Sequence, residues 1–199
     1  MILEYIIITI YSLALILIFM YAIAQLNLLF NYKSAKKKKD TSPKFNLKNN
    51  KEVPFVTIQL PVYNEMYVMD RLLNNIVTLD YPEEKLEIQV LDDSTDQSVS
   101  STITQIKELQ KRGINIQHIR RTNRKGFKAG ALKEGLEIAK GEFIAIFDAD
   151  FLPQKDWLLQ TIPYFKDNNI GVVQTRWGHI NKNYSTLTKI QAFALDAHF

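Results

Sequence analysis

Two aspartates one residue apart, Asp148-Ala149-Asp150, follow directly on the apolar run Phe143-Ile144-Ala145-Ile146-Phe147. A continuous apolar run reads as a strand buried on both faces, and in an open parallel sheet ligands sit just beyond the carboxyl ends of such strands. Two negative charges placed there need compensation. A hard divalent cation with bound phosphate oxygens is the partner that best uses such a pair. Asp is also a common turn and N-cap residue after any strand, so the triplet alone admits a structural role as well.

Three further turns carry residues of chemical interest: Pro61-Val62-Tyr63-Asn64-Glu65, Asp92-Asp93-Ser94-Thr95-Asp96, and the basic stretch RRTNRKGFKAGA from Arg120 to Ala131. Tyr63 can lie against a base or ribose, and Asp93 can accept hydrogen bonds from a base edge or a sugar hydroxyl. Gly126 and Gly130 let backbone approach closely near a helix start, where exposed N–H groups attract an anion, and Lys128 adds a mobile positive charge. This inventory suits a nucleoside diphosphate, with Asp148 and Asp150 holding Mg2+ or Mn2+ across its two phosphates. Each turn taken singly could be no more than a helix start, a capped turn or a solvated loop. Their coincidence carries the reading.

The elements that must position these turns follow from periodicity. Strands are expected over 55–60, 86–91, 114–119 and 143–147, and helices over 66–79 and 128–140. A further helix carries Val99, Ile103, Ile106 and Gln110 on successive turns. Gly113 and Gly141 stand where glycines close helices. Alternation of this kind predicts an α/β domain with a Rossmann-like, mainly parallel sheet, in which all four turns emerge on one edge.

At 199 residues and 46% apolar, the chain is long enough for one domain with a real core and too short for two. With no cysteine, disulfides, zinc thiolate sites and a cysteine nucleophile are excluded, which fits a reducing compartment. His118, His179 and His198 lack metal-ligand spacing and are read as ordinary polar residues. The net charge of +4 is concentrated between Lys33 and Lys51, where eight lysines face Asp40 alone, so the remainder of the chain sums to −3. That argues against a nucleic-acid partner, which needs the basic footprint on the folded face itself.

Residues 5–32 carry no charge, a run longer than the ~20 residues that span a bilayer. A signal peptide is the competing reading, but Glu4, the length of the run and its end at Leu28-Leu29-Phe30-Asn31 favour a retained transmembrane helix over residues 1–32. The cluster Lys36 to Lys39 then places the carboxyl side, and with it the catalytic domain, in the cytoplasm and the amino terminus outside; in a bacterium the membrane would be the inner or plasma membrane. Residues 33–53 read as a basic juxtamembrane linker that lies against anionic headgroups, and the folded domain begins near Pro54.

The four motifs, in this order and spacing, resemble the nucleotide-binding half of the family 2 glycosyltransferases, in particular the membrane-bound cellulose synthase and glucomannan synthase branch. The likeness extends through Val173-Gln174-Thr175-Arg176-Trp177 to Leu195-Asp196-Ala197-His198-Phe199. It implies a GT-A fold, inverting transfer of a hexose from UDP-glucose or GDP-mannose, and Mg2+ or Mn2+. Matched by position, Pro61, Tyr63, Glu65 and Asp93 fall in nucleotide-contacting motifs. Lys128 lies in the phosphate-side Lys-Ala-Gly-Ala-Leu segment, and Asp148 and Asp150 form the metal pair. A polysaccharide acceptor follows from the branch, with a lipid acceptor still open.

The branch's Thr-Glu-Asp motif, which supplies the general base, is not found here. Gln174-Thr175-Arg176-Trp177 has one residue too few to be its Gln-x-x-Arg-Trp motif and is expected as a separate strand. The expectation is therefore the N-terminal part of a catalytic domain over 54–199, truncated at its C-terminal side. The base would lie beyond Phe199, and Glu142, Asp156 and Asp196 would be structural or surface residues. Such a chain binds nucleotide weakly and transfers little sugar, and a catalytically silent nucleotide-sugar-binding membrane fragment is the alternative. Response-regulator receivers, haloacid-dehalogenase-type phosphatases and dinucleotide dehydrogenases place their acidic or glycine motifs at other strands.

Overall fold

The computed structural model describes residues 2–35 and 53–196. The lysine cluster, most of the expected linker, His198 and Phe199 lie outside the described residues. Two compact units divide the chain, residues 1–41 and 42–199.

In the first unit, helix α1 (Ile2–Ala35) is apolar around its circumference. Its span Ile2–Asn31 is long and apolar enough to cross a membrane, about 45 Å at the α-helical rise. Two of its polar side chains bond within the helix: Thr9 Oγ1 donates to Tyr5 O at 2.8 Å, and Asn31 Nδ2 donates to Asn27 Oδ1 at 2.6 Å.

The second unit is built on a four-stranded, fully parallel sheet of order β3-β2-β1-β4. The strands are β1 (Val56–Val62), β2 (Leu86–Asp92), β3 (Ile116–Arg120) and β4 (Phe143–Ile146). Helices α2 (Met69–Ile76), α3 (Ser98–Lys111) and α4 (Phe127–Ile138) connect them, and a short α5 (Trp157–Thr161) and α6 (Thr186–Asp196) follow β4. One face of the sheet is apolar. Ile58, Leu60 and Val62 of β1 and Ile88 and Val90 of β2 form a core with Leu72, Leu73 and Ile76 of α2 and Ile106 and Leu109 of α3.

The opposite face, which α4 covers, carries a buried polar ladder. Thr57 Oγ1 donates to Glu87 Oε2 at 2.8 Å, Gln117 Nε2 donates to Glu87 Oε1 at 3.0 Å, and Gln59 Nε2 donates to Gln89 Oε1 at 3.0 Å. Lys140 N also donates to Glu87 Oε2, at 3.0 Å, so the segment leading into β4 is tied to the sheet. Buried polar groups of this kind are costly unless paired, so the ladder fixes which residues lie opposite one another.

Several local expectations change. Gly113 caps α3 as expected, with φ +89 and its N–H donating to Gln110 O. Gly141 does not cap α4, which ends at Ile138 with Ala139 already extended. Gly141 is needed for close passage instead: its N–H donates to Thr57 Oγ1 at 2.8 Å, and a Cβ there would lie 2.3 Å from Thr57 N. The buried stripe of α3 is Ser98, Thr102, Ile106 and Leu109, so Val99 and Ile103 are only half-buried and Gln110 is exposed.

The strand before the aspartates is not buried on both faces. Among the described residues β4 pairs only with β1, α4 rests over β1 and β2, and Ile146 is 47% exposed. The segment around Gln174 to Trp177 forms no strand. Trp157 Nε1 donates to Thr175 Oγ1 at 3.1 Å, and Trp177 packs edge-on against Phe151 with ring centroids 4.9 Å apart.

Gly141→Ala is expected to destabilise the folded unit by about 1–3 kcal/mol, the cost of forcing a group into a filled contact. At Gly171 an added Cβ meets nothing within 4 Å, so Gly171→Ala should change stability by less than about 0.5 kcal/mol. Urea unfolding followed by tryptophan fluorescence measures both.

Candidate functional site

The strands run in register: Val62 lies opposite Asp92, and Asp92 opposite Arg120. The turns after β1 and β2 and the long loop after β3 therefore leave the same edge side by side. Phe147 N donates to Gln59 O, which carries β4 one residue further and delivers Asp148 beside them. Pro61, Tyr63, Glu65, Asp93, Lys128, Asp148 and Asp150 all line one open cavity of about 390 Å3. Arg124 lines it too, a residue of the basic loop that residue type and spacing did not single out.

Asp93 is not free in this cavity. Arg121 grips its carboxylate with two hydrogen bonds, Nε to Oδ1 at 2.8 Å and Nη2 to Oδ2 at 2.5 Å, and the side chains are only 6% and 3% exposed. The carboxylate beside it pushes the Arg121 guanidinium, already a permanent cation, still higher in pKa. The same guanidinium donates to Lys125 O at 3.0 Å and Phe127 O at 2.9 Å.

These contacts hold a backbone that would otherwise be unfavourable. Gly126 and Phe127 are both left-handed, with φ +75 and φ +49, and the second is unusual for a bulky side chain. Gly130 lets the first turn of α4 close on this loop, since a Cβ would lie 2.0 Å from Lys125 O and 2.6 Å from Arg121 Nη1. Arg121 is thus a positioning residue that sequence reasoning missed. The only signal was an arginine in a loop rich in them.

A second network fixes the first two turns. Asn64, left-handed at φ +56, receives Thr95 N at its Oδ1 and donates its own N–H to Ser94 Oγ, each at 2.9 Å. Ser94 N donates to Asp92 Oδ1 at 2.8 Å, and His118 Nε2 meets Asp92 Oδ2 at 2.7 Å. His118 therefore has a definite structural partner. Burial works to raise the Asp92 carboxyl, but the hydrogen bonds from His118 and Ser94 and the His118 charge outweigh it and hold the group below the usual carboxylate range.

Over the cavity, the Arg124 guanidinium sits 3.3 Å from the centroid of the half-exposed Tyr63 ring, with Phe127 5.4 Å away on the same cation. Lys128, in the first turn of α4, forms an ion pair with Asp148. Asp196 has a structural setting, accepting from Arg176 Nη2 at 3.1 Å and meeting His179 Nε2 at 3.2 Å.

Asp148 and Asp150 fit a divalent cation of the Mg2+ or Mn2+ kind by the chemistry of their donors. Both offer hard oxygens at the cavity wall, and among the described residues no third acidic, histidine or cysteine side chain completes a cage. Such ions take one or two carboxylates and complete their shell with water and substrate phosphates.

A parallel sheet whose carboxyl edge gathers an aromatic ring, a basic loop closing on a helix start and a carboxylate pair defines a GT-A type α/β domain. The chain belongs to glycosyl transferase family 2, whose model matches residues 57–196. It is 46% identical over 153 residues to a probable glucomannan 4-beta-mannosyltransferase 11 of Oryza sativa subsp. japonica, an alignment covering 73% of this chain and 26% of that protein. It is 39% identical over 196 residues to glucomannan 4-beta-mannosyltransferase 1 of Cyamopsis tetragonoloba, covering 92% and 37%. The chain thus spans between a quarter and two-fifths of the length of these curated relatives. Among solved structures, the mannosyltransferase PcManGT of Pyrobaculum calidifontis, in complex with GDP-Man and Mn2+, is similar at 30% identity and a TM-score of 0.61. That match covers 77% of this chain and 45% of the other.

Arg121→Met should destabilise the domain by about 1–3 kcal/mol, because it removes both hydrogen bonds to the little-exposed Asp93 carboxylate and leaves it only Arg124, whose Nε lies 3.6 Å away. Arg121→Lys should recover only part of this, since an ammonium lacks the two-pronged geometry. Chemical denaturation at neutral pH reads both.

Asp92 is depressed in the folded state. Its contribution is full above the unfolded carboxyl value of about 3.9 and is lost as the pH falls through its lower folded value. Asp92→Asn should therefore be less stable at pH 7 and show a shallower loss of stability in acid, measured as urea midpoints from pH 7 to pH 3.

Proposed function

We propose that this chain is the donor-binding portion of a membrane-anchored, inverting hexosyltransferase that transfers a hexose from a nucleotide sugar to a growing polysaccharide, with Mg2+ or Mn2+. One observation carries the reading. The aromatic, basic and acidic groups that a sugar nucleotide needs line a single cavity at the carboxyl edge of the sheet.

In this reading Tyr63 stacks on the base, with Pro61 and Glu65 shaping the same wall. Asp93, oriented by Arg121, accepts from the base edge or ribose through the lone pairs that Arg121 leaves. The N–H groups at the start of α4 and the Lys128 ammonium face the diphosphate. Asp148 and Asp150 hold the cation, which when bound offsets charge on the departing diphosphate. Inversion requires an acceptor hydroxyl in line with that leaving group and a base to take its proton. The cavity carboxylates are committed elsewhere, so we assign the base to none of them.

GDP-mannose is the favoured donor. The glucomannan mannosyltransferase relatives support it, as does the similar structure in complex with GDP-Man and Mn2+. UDP-glucose is the competing donor. A polysaccharide acceptor rests on the same relatives, and a lipid acceptor is the second option. Helix α1 is taken as the anchor, supported by its length and apolar circumference, and a cytoplasmic side for the folded unit is supported by the lysines after the helix in sequence.

Calorimetry on the full chain in mild detergent, with GDP and UDP and with and without Mn2+, tests this. GDP should bind more tightly than UDP, and Mn2+ should strengthen it by about tenfold or more, the worth of one contact to a charged group. Asp148→Ala should remove the Mn2+ effect. Nucleotide binding that ignores Mn2+ and is the same in Asp148→Ala would overturn the assignment.

A further inference from the structure

Resting on the cation site proposed above, we infer that Lys128 is that site's internal counter-ion. In the ligand-free protein its ammonium holds Asp148. The divalent cation displaces it, and the released ammonium is then available to the diphosphate. Metal and diphosphate would therefore bind as a coupled pair, with one lysine passing between them.

Four observations lead to this. Lys128 and Asp148 come from different elements twenty residues apart, the first turn of α4 and the turn after β4, yet their charged atoms are in direct contact. Both side chains are well exposed, 53% and 40%, so the ammonium can leave without uncovering a buried charge. Lysine suits the exchange because its compact charge rides on a flexible stem, whereas Arg121 is locked on Asp93 and Arg124 on Tyr63.

The fourth observation concerns the helix. Lys128 is the second residue of the twelve-residue α4, and no acidic residue shares that first turn. A cation there faces the positive end of the helix macrodipole, an unfavourable place unless an anion stands opposite. Asp148 is that anion in the free protein, and the diphosphate would be that anion in the loaded one.

A divalent cation on the Asp148 oxygens repels an ammonium in contact with the same carboxylate, so the two cannot share it at full strength. The ammonium therefore weakens metal binding to the empty site and strengthens diphosphate binding to the loaded one. By linkage, diphosphate must also strengthen metal binding by the same factor. Removing the charge should thus push the two affinities in opposite directions, which loss of an ordinary ligand contact would not do.

The test is Mn2+ binding to the nucleotide-free full chain, read by electron paramagnetic resonance of the free ion, alongside calorimetry with GDP. Lys128→Met should tighten Mn2+ by about threefold to tenfold, from the loss of an exposed ion pair and a nearby repulsion. It should weaken GDP. Lys128→Arg should restore the weaker Mn2+ binding, and Lys133→Met, which removes the same charge from the same helix, should leave Mn2+ unchanged. Unchanged or weaker Mn2+ binding in Lys128→Met, or equal tightening in Lys133→Met, overturns the counter-ion role. If Asp148→Asn still abolishes Mn2+ binding in that case, the cation site itself stands. If neither the native chain nor Lys128→Met binds Mn2+, the site and the inference fall together.

Discussion

The candidate site depends on one buried ion pair, Arg121 with Asp93. Its two parallel hydrogen bonds join the turn after β2 to the loop after β3, and the remaining donors of the same guanidinium hold the carbonyls of Lys125 and Phe127. A charge pair this deep returns its desolvation only if nearly every donor is used. Here the guanidinium is almost fully employed, and what it secures is geometry. The left-handed pair Gly126-Phe127 starts α4 at the cavity mouth, which sets Lys128 against Asp148.

Beneath that pair lies the register of the sheet. The hydrogen bonds of the polar ladder of Thr57, Glu87, Gln117, Gln59 and Gln89 form only when β1, β2 and β3 stand level, and a slip of one residue would send each polar group to the apolar face. Level strands end level. The turns that carry Tyr63, Asp93, Arg124 and Asp148 consequently leave from one line, and loop geometry needs only to close the last few ångströms.

Several charged groups at the cavity are held in pairs. Asp93 is answered by Arg121, Asp148 by Lys128, and the Tyr63 face by Arg124, and all three cations come from one short stretch of chain. Under the proposed function, such an arrangement suits a doubly charged diphosphate with its cation. On the inferred counter-ion role of Lys128, binding would exchange partners among charges already arrayed rather than assemble them.

Periodicity and residue type alone carried the alternation of strands and helices through β4, the parallel sheet, the apolar helix ahead of it and seven of the residues that line the cavity. Strand-end chemistry is local, and a run such as Phe143 to Phe147 followed by two aspartates is legible from periodicity and residue type. The same cues misplaced what depends on neighbours. Gly141 reads as a cap but exists to pass Thr57, β4 reads as buried yet has one strand partner among the described residues, and α3 buries Ser98 and Thr102 ahead of its valine. The roles of Arg121, Arg124 and His118 were equally invisible, because one basic residue in a loop looks like another until its partner is known. Those pairings emerge only in three dimensions. They join residues from 26 to 61 positions apart, and which distant groups meet is set by strand register and helix packing, not by any spacing along the chain.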